Sequence, residues 1–394
     1  MNNPIPIGRF EDATIDPLNA RFFPAEAYIS EEFYRFEREA VWLKEWVCVG
    51  RVEEIPNKGD YFSAEIAGEP IVVVRSTETG LSAMSAVCRH RAMVLTEGNK
   101  GHCKGSFICP YHRWAYGLDG RLLGAPQMGG VGTFDRAALG LPRLALEVWH
   151  GLIFVNFDTD AAPLALRLAA VEPAVSDWRL EDLRGEFLKD PAYRQHHDYA
   201  WNWKVYAEGQ SECYHCDKLH GDTPGMQNID CSTMASLVQD NTNGVFAFDL
   251  QSKVIDATIN HIGQAIFPAI PWLTEDQRWL QRSVIIAPNV FMALSPDCVI
   301  VLMWWPTGPH SMRVKRHRLY PQETLDRDDF VERHKEESVA LRHFVGQDNE
   351  AFERVQRGLF SRFAPQGPLS SKEFVLFGLN KWLTEKYRGA ASVA

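Results

Sequence analysis

The stretch CRHRAMVLTEGNKGHCKGSFICPYHRW, Cys88–Trp114, opens with a Cys-x-His pair and closes with a Cys-x-x-His pair. Two side chains that are one or two residues apart can converge on one metal site. The 18 residues that separate the pairs are enough for a hairpin that brings both loops together. Cys88, His90, Cys109 and His112 are therefore predicted to form one metal site.

Two kinds of metal site use two cysteines and two histidines. One is a zinc site, and the other is an iron–sulfur cluster with the cysteines on one iron and the histidines on the other. Zinc sites usually pair like ligands, whereas each loop here offers one Cys and one His. This distribution favours the two-iron cluster, with zinc or buried free cysteines as alternatives. Cys103, which lies between the pairs, is interpreted as a bystander.

The motif CRHR…CPYHRW resembles the Rieske [2Fe–2S] motif of Rieske-type non-haem iron ring-hydroxylating oxygenases, in their large (alpha) terminal oxygenase subunit. Histidine ligation raises the reduction potential of such a cluster above that of an all-cysteine cluster. The resemblance implies a [2Fe–2S] cluster that receives electrons from a ferredoxin-like donor or a reductase.

A second group of metal-binding residue types lies in NWKVYAEGQSECYHCDKLH, residues 202–220, which is predicted to be helical. On a helix Glu212 and His215 share one face, whereas His220 is rotated by about 140° from His215. Both histidines can bind one ion only if the helix loosens or ends near residues 217–220. The turn-rich sequence GDTPG that follows favours such an end.

Two histidines and one carboxylate, with open positions, form the facial triad of mononuclear non-haem Fe(II) oxygenases. The His-x4-His element, with an acidic residue three positions before it, is similar to the catalytic-iron motif of the same family. The resemblance implies that His215 and His220 bind Fe²⁺. It implies that Glu212 bridges the two metal sites, through His215 and through His112 of a neighbouring subunit.

The third iron ligand is expected from the C-terminal helices. In HFVGQDNEAFERVQRGL, Asp348 stands where the resemblance places the carboxylate, and Glu350 and Glu353 are the alternatives. Any one of these acids could instead lie on a solvated helix face, but the upstream histidine pair favours a ligand. Many members of the family have Asn after the first Glu of the iron motif. Gly209 follows Glu208 here, which suggests more room in the substrate pocket or a softer helix.

The other cysteines are assigned packing roles. Cys213 and Cys216 flank His215 and are interpreted as packing residues on the predicted helix. We interpret Cys48, Cys231 and Cys298 as small buried hydrophobic residues. The N-terminus has no basic start and no apolar segment, so a cytoplasmic location is expected. In that compartment eight cysteines indicate metal or redox chemistry more than disulfides.

The composition and the mixture of β-prone and helical segments predict an α+β fold for this chain of 394 residues. The formal charge of −10 argues against non-specific binding to nucleic acid. Prolines and polar residues interrupt the most apolar stretch, so no membrane span is expected. The predicted domains are an N-terminal helical segment of the catalytic domain (1–45), an all-β Rieske domain (46–160) and a catalytic iron domain (161–394). The resemblance implies that the catalytic domain has a helix-grip (START-related) fold with an antiparallel sheet and C-terminal helices.

The resemblance also implies the function. It implies that O2 is activated at Fe(II) with electrons that come from NADH through a separate reductase, and that a small organic substrate, expected to be aromatic, is hydroxylated. The alternative is oxidative N- or O-demethylation, because ECYHC is closer to the branch that oxidises methylated amines. A head-to-tail homotrimer is implied as well. Two other classes stay open: an electron-transfer Rieske protein without oxygenase activity and a zinc-stabilised binding protein.

Overall fold

A computed structural model describes residues 3–190, 196–260 and 262–392. The chain forms two compact units. The first, here called the β module, is Trp42–Ala162, and the second, the catalytic unit, joins Met1–Val41 to Pro163–Ala394. The predicted α+β class, a β-rich module beside an antiparallel sheet with C-terminal helices, is confirmed. The predicted domain limits at 45/46 and 160/161 stay a prediction.

The β module contains a seven-stranded and a three-stranded antiparallel sheet. The larger has the order β1-β10-β9-β4-β3-β2-β5, and the smaller has the order β6-β7-β8. Their strands are β1 Val47–Arg51, β2 Asp60–Ile66, β3 Glu69–Arg75, β4 Leu81–Ser85, β5 Lys100–His102, β6 Ser106–Ile108, β7 Ala115–Gly117, β8 Leu122–Gly124, β9 Arg143–Trp149 and β10 Leu152–Asn156.

The core of the β module positions the predicted cluster ligands. Apolar side chains of β3 and β4 pack with Trp114 and Tyr116, and the sulfurs of Cys88 and Cys109 belong to the same core. Cys88 lies in the loop between β4 and β5, and Cys109 lies in the turn between β6 and β7. Each metal-binding pair is therefore anchored by a buried cysteine at the edge of one packed core.

The catalytic unit is built on an eight-stranded antiparallel sheet with the order β11-β18-β17-β16-β15-β14-β13, and β12 also pairs with β18. The strands are β11 Arg184–Gly185, β12 His196–Tyr199, β13 Ile229–Asp240, β14 Val245–Ser252, β15 Leu280–Ile286, β16 Val290–Leu294, β17 Val299–Gly308 and β18 Ser311–Tyr320. The helices are α1 Gly8–Glu11, α2 Glu26–Ile29, α3 Glu31–Glu37, α4 Leu164–Leu168, α5 Glu172–Val175, α6 Trp203–Gln210, α7 Cys216–Leu219, α8 Pro224–Gln227, α9 Gln322–Leu325, α10 Phe330–Leu359 and α11 Phe374–Ser392.

The prediction of one helix over residues 202–220 is wrong, because α6 and α7 are separated by non-helical residues 211–215. The Glu212 carboxylate accepts the backbone N–H groups of Tyr214 and His215. An acidic side chain that bonds the backbone just after itself competes with helical hydrogen bonds. The break at residues 211–215 frees His215 from the helical geometry that would separate it from His220, and α7 ends at Leu219, within the expected range 217–220.

A buried polar cluster holds α6 against the N-terminal and C-terminal helices. The carboxylate of Glu37 accepts hydrogen bonds from Trp203 Nε1 at 2.7 Å, from Lys204 Nζ at 2.8 Å and from Tyr387 Oη at 2.5 Å. A buried ion pair is stable only when further hydrogen bonds compensate for lost hydration, as they do here. The base of α6 is thus fixed just before the segment that carries Glu212 and His215.

Within the parts of the chain that the structure describes, no helix has the length and hydropathy needed to cross a membrane.

Candidate active site and metal centres

The two cluster loops of the β module have the same backbone turn. The carbonyl of Cys88 accepts the N–H of Ala92 at 3.1 Å, and the carbonyl of Cys109 accepts the N–H of Arg113 at 3.0 Å. Ala92 and Arg113 both have left-handed backbone angles, with φ of 55° and 61°. Two equivalent turns, each beginning at a buried cysteine, agree with the expectation of a cluster gripped by two equivalent loops.

The histidines of these loops meet outside the core. His90 Nδ1 and His112 Nδ1 are 3.1 Å apart, and the His90 ring stacks on Trp114 with ring centroids 4.9 Å apart. The Cys88 sulfur is 3.3 Å from the Tyr116 hydroxyl. Among the residues described, no three of the four predicted ligands have donor atoms within 4.8 Å of one another, as one zinc ion would require. The donor set therefore fits two irons better than one zinc.

The catalytic unit brings together His215, His220 and Asp348. Asp348 Oδ1 is 2.9 Å from His220 Nε2 and 3.6 Å from His215 Nε2, and one donor atom from each residue lies within 4.8 Å of the others. Metal bonds of about 2.1 Å at right angles separate two ligand atoms by about 3.0 Å. The three side chains therefore have the spacing of neighbouring ligands on one ion.

Two of these donor atoms are buried without a hydrogen bond. His220 Nε2 and Asp348 Oδ1 have no hydrogen-bond partner among the described residues, although they lie next to each other. Buried polar atoms are nearly always satisfied, so such a pair needs an explanation. A bound cation between them supplies it, and the histidine–carboxylate donor set fits the Fe²⁺ expected from the sequence.

Outer contacts orient both histidines. His215 Nδ1 lies 2.5 Å from Glu212 Oε1, and His220 Nδ1 lies 2.9 Å from Gln347 Oε1. A proton on each Nδ1 donates to these oxygens and leaves both Nε2 lone pairs available for a metal. Burial lowers the pKa of His215, but the hydrogen bond and charge of Glu212 and the charge of Asp348 outweigh it, so the pKa is raised.

The structure separates the candidates for the third ligand. Glu350 forms an exposed ion pair with Arg354, and Glu353 is exposed, so neither belongs to the group around Asp348. Glu212 lies beside His215, as the bridging role requires. Its second contact, to His112 of a neighbouring subunit, stays a prediction.

A cavity of about 140 Å³ adjoins the site, and Glu212, His215 and Asp348 line it. Its aromatic lining consists of Tyr199, Tyr206, Phe248, Phe291 and Phe344. Its other polar lining includes Gln210, Gln281, Ser283, Asn349, Arg282 and Arg316. Arg282 is paired with Asp249 by hydrogen bonds of 2.7 and 2.8 Å. The cavity is thus mainly apolar, with charged groups of both signs in its wall.

The expectation that Gly209 enlarges the pocket is not met. A Cβ atom added at Gly209 would lie 2.3 Å from Phe352 Cε1, because the Phe352 ring of α10 occupies that space. Phe352 is buried and also packs edge-on against Trp201 and Tyr206. The missing side chain therefore permits close packing between α6 and α10 and leaves no extra volume.

Sequence reasoning missed that Cys213, Cys216 and Cys231 lie together. The three buried sulfurs are within 4.8 Å of one another, and those of Cys213 and Cys216 are 2.6 Å apart. Cys213 and Cys216 also line the cavity. The Cys-x-x-Cys spacing was the available signal. The position of Cys231 depends on β13, which the sequence does not place beside α7.

Comparison with known families identifies both units. The family model for the ring hydroxylating alpha subunit (catalytic domain) matches residues 189–389, just over half of the chain. The chain belongs to this family. The Rieske [2Fe-2S] domain model matches residues 45–135. A Rieske cluster and a mononuclear iron are thus the cofactors of this alpha subunit, as the sequence predicted, and zinc at the four-ligand site is excluded in favour of the cluster.

Curated relatives of this alpha subunit include carnitine and glycine betaine monooxygenases. The oxygenase subunit of carnitine monooxygenase from Escherichia coli (strain K12) is 34% identical over 218 residues, 53% of this chain and 55% of the relative. The alpha subunit thus spans about half the length of that relative. The oxygenase subunit of glycine betaine monooxygenase from Pseudomonas aeruginosa (strain UCBPP-PA14) is 26% identical over 97% of this chain and 93% of the relative.

Solved structures share the fold of the alpha subunit. A quaternary ammonium Rieske monooxygenase superimposes with a TM-score of 0.79 at 23% identity, covering 98% of this chain and 100% of that one. Naphthalene 1,2-dioxygenase from Rhodococcus sp. gives a TM-score of 0.76 at 19% identity, with 97% and 98% covered. At these identities the similarity establishes the fold and does not distinguish between the two kinds of substrate.

Proposed function

We propose that this alpha subunit is the terminal oxygenase component of a Rieske non-haem iron oxygenase that hydroxylates an N-methyl group of a small methylated amine. The carbinol amine formed in this way loses formaldehyde, so the net reaction is oxidative N-demethylation. The observation that carries the proposal is the trio His215, His220 and Asp348, which has two unpartnered donor atoms and adjoins an apolar cavity that His215 and Asp348 line.

Two observations support an amine substrate over a hydrocarbon. The curated relatives named above act on carnitine and glycine betaine, according to their names. The cavity wall also combines aromatic rings with the guanidinium of Arg316. Methylammonium groups bind well against aromatic faces, and a guanidinium binds a carboxylate. A zwitterion that carries a methylated nitrogen and a carboxylate satisfies both.

Hydroxylation of an aromatic acid is the second candidate. The rings of Tyr199, Tyr206 and Phe344 line the cavity and offer surfaces for a flat substrate. Arg316 would bind the carboxylate of such a ring as well as that of an amino acid derivative. The two candidate substrates therefore both carry a carboxylate, and they differ in the group that is oxidised, an N-methyl group or an aromatic ring.

The roles of the protein groups follow from their geometry. His215, His220 and Asp348 would hold Fe²⁺, which would supply O2 activation with electrons from the Rieske cluster. Gln347 and Glu212 hold the two imidazole rings with their Nε2 atoms toward Asp348. The apolar lining excludes water, which protects reactive oxygen species from side reactions. Glu212 is further proposed to connect His215 to the Rieske His112 of a neighbouring subunit in a homotrimer.

The test is NADH-coupled O2 uptake with a matched reductase, using substrates that vary one feature at a time. The panel contains methylated amines with and without a carboxylate, and aromatic acids. We expect formaldehyde release from carboxylated methylated amines, and Arg316→Leu should raise KM for these far more than for uncharged analogues. Phenol or diol formation from aromatic acids without formaldehyde would replace the first candidate by the second.

Two acidic residues on α10 provide a test variant and a matched control for a general loss of folding. Asp348→Ala should lose mononuclear iron and oxygenation, whereas Glu350→Gln, which alters an exposed acid two residues away, should keep both. Oxygenation that survives in Asp348→Ala would contradict the proposal, because the third ligand would then lie elsewhere.

A further inference from the structure

Besides the iron ligands, the described residues of the catalytic unit contain a thiol cluster of Cys213, Cys216 and Cys231. All three side chains are buried, with 7%, 5% and 1% of their surface exposed. Cys213 and Cys216 reach the substrate cavity, and their sulfurs are in contact at 2.6 Å. The cluster thus adjoins the position where O2 would be reduced.

The first two thiols also bracket an iron ligand. In Cys213-Tyr214-His215-Cys216, the proposed ligand His215 lies inside a Cys-x-x-Cys motif. Cys213 belongs to the non-helical segment 211–215, and Cys216 is the first residue of α7. The Cys-x-x-Cys spacing is also used by disulfide oxidoreductases. A covalent bond between the two sulfurs would close a short ring around His215.

We propose that Cys213 and Cys216 are a peroxide-sensitive dithiol whose oxidation to a disulfide releases the mononuclear iron. The inference rests on the proposed function, because an oxygenase that reduces O2 without hydroxylating substrate forms hydrogen peroxide in this cavity. The sulfur of one cysteine attacks H2O2, the O–O bond breaks, and a sulfenic acid and water form. The sulfur of the other cysteine displaces the sulfenic hydroxyl as a second water. Two thiols and one H2O2 thus give one disulfide and two waters.

The effect on iron follows from the position of His215. Its Nε2 lies 3.6 Å from Asp348 Oδ1, and its orientation depends on the turn in which Glu212 accepts the backbone N–H groups of Tyr214 and His215. Joining Cys213 to Cys216 constrains this same turn. Since metal ligands tolerate only small displacements, a shifted imidazole weakens iron binding. Oxidation would therefore stop O2 reduction at a subunit that is producing peroxide.

Cys231 is the third member of the cluster. Hydrogen bonds from the Cys213 and Cys216 thiols lower the pKa of Cys231, whereas hydrogen bonding within the cluster and burial raise the pKa of Cys213 and of Cys216. Three thiols are also a donor set for a soft metal such as zinc. Two thiolates on one zinc are about 3.8 Å apart, however, given bonds of about 2.3 Å and a tetrahedral angle. The sulfurs of Cys213 and Cys216 are 2.6 Å apart, which is shorter than this ligand spacing.

The test treats the complete, anaerobically purified holoenzyme with one and two equivalents of H2O2 and then alkylates the free thiols. Trypsin releases residues 205–218, which contain Cys213 and Cys216, separately from the peptide that contains Cys231. We expect peptide 205–218 to lose two hydrogens and to resist alkylation until dithiothreitol is added. In parallel, the iron content should fall from three to two atoms per chain while acid-labile sulfide stays constant. Treatment with dithiothreitol and added Fe²⁺ should restore the third iron.

Two variants and three outcomes complete the test. Cys213→Ser should keep its iron under the same peroxide dose, whereas Cys298→Ala, which removes a buried thiol elsewhere in the unit, should behave like the wild type. Sulfinic or sulfonic acid at these cysteines, a disulfide that leaves iron in place, or stoichiometric zinc bound by the three thiols would each overturn the proposal. Because peroxide is added directly, disulfide formation is scored even if no substrate is oxygenated, so the two proposals can fail separately.

Discussion

The two metal sites are built in different ways. The four Rieske ligands lie between Cys88 and His112, in two loops with the same turn, and both histidines lie at or near the surface of the module. The catalytic ligands extend from His215 to Asp348, and His220 and Asp348 are buried. A cluster that only passes electrons can be held by a local motif near solvent. A site that binds O2 beside a substrate needs a dry cavity, which only tertiary packing provides.

The largest effect is expected when one metal site is removed and the other is kept. His220→Ala should remove the mononuclear iron and reduce oxygenation to background, but keep the Rieske absorption spectrum. Cys109→Ala should have the reverse effect on the metals, losing the cluster and keeping iron at the catalytic site. Iron and sulfide analysis with visible spectroscopy measures both. If either variant lost both metals while remaining folded by circular dichroism, the two sites would not be independent in assembly.

A smaller effect is expected when the link between the sites is altered and both metals are kept. Glu212→Gln preserves size but weakens the hydrogen bond to His215 Nδ1. Changes to such outer contacts typically cost about 10- to 100-fold in activity or metal affinity. We expect turnover to fall by about 100-fold with three irons still bound. The matched control is Glu353→Gln, an exposed acid on α10. Unchanged turnover in Glu212→Gln would remove its role as a bridge.

Packing around the buried site gives a third prediction. Gly209→Ala would place its Cβ 2.3 Å from the Phe352 ring, so the substitution should destabilise the protein by about 1–3 kcal/mol. Phe352→Leu should recover part of that loss in the double variant, which a double-mutant cycle by urea denaturation detects. Gly358→Ala, at a helical glycine whose added Cβ meets no atom within 4 Å, is the control. Additive effects of the two substitutions would show that the contact is not the cause.

A fourth prediction concerns protonation of Glu208. Burial raises the pKa of this carboxyl to about 8, against the hydrogen bond from Tyr28 and the charge of Lys204. Between its ordinary pKa and pH 8, the folded protein keeps a proton that the unfolded chain releases. The free energy of unfolding therefore falls as pH rises, by at most about 1.4 kcal/mol per pH unit from this group.

Glu208→Gln removes this dependence because the amide has no proton to lose. Its stability relative to the wild type should increase between pH 5.5 and pH 8, measured by urea denaturation at both values. The exposed acid variant Glu350→Gln should instead follow the wild-type curve. Parallel pH dependences for the wild type and Glu208→Gln would show that Glu208 is ionised in the folded protein at neutral pH.

The same contrast explains what the sequence could predict. The Rieske motif specifies ligand types, spacing and turn positions within one short stretch, so Cys88, His90, Cys109 and His112 are accessible to pattern reasoning. Asp348 was chosen over Glu350 and Glu353 only through family resemblance, because all three lie on the same long helix. In the structure, Asp348 is distinguished from the other two acids by the way in which α10 packs against the segment after α6.

Two features escaped prediction for related reasons. The break before His215 results from side-chain-to-backbone bonds of Glu212, which helix periodicity ignores. The thiol cluster unites Cys213 and Cys216 with Cys231 on β13, and such proximity arises only when the strand folds back toward α7. Hydrophobic patterns assign each cysteine to the interior but contain no information about which interior residues meet.

The way in which the chain enters and leaves the β module has an evolutionary and practical consequence. Val47 of β1 faces Val155 of β10 across an antiparallel pair, so these two residues near the ends of the module are about 5 Å apart. An electron-carrying cassette whose first and last strands pair can be spliced into a host loop at little cost in chain entropy. The same closeness means that a short glycine-serine bridge in place of residues 48–154 should yield a cluster-free catalytic unit.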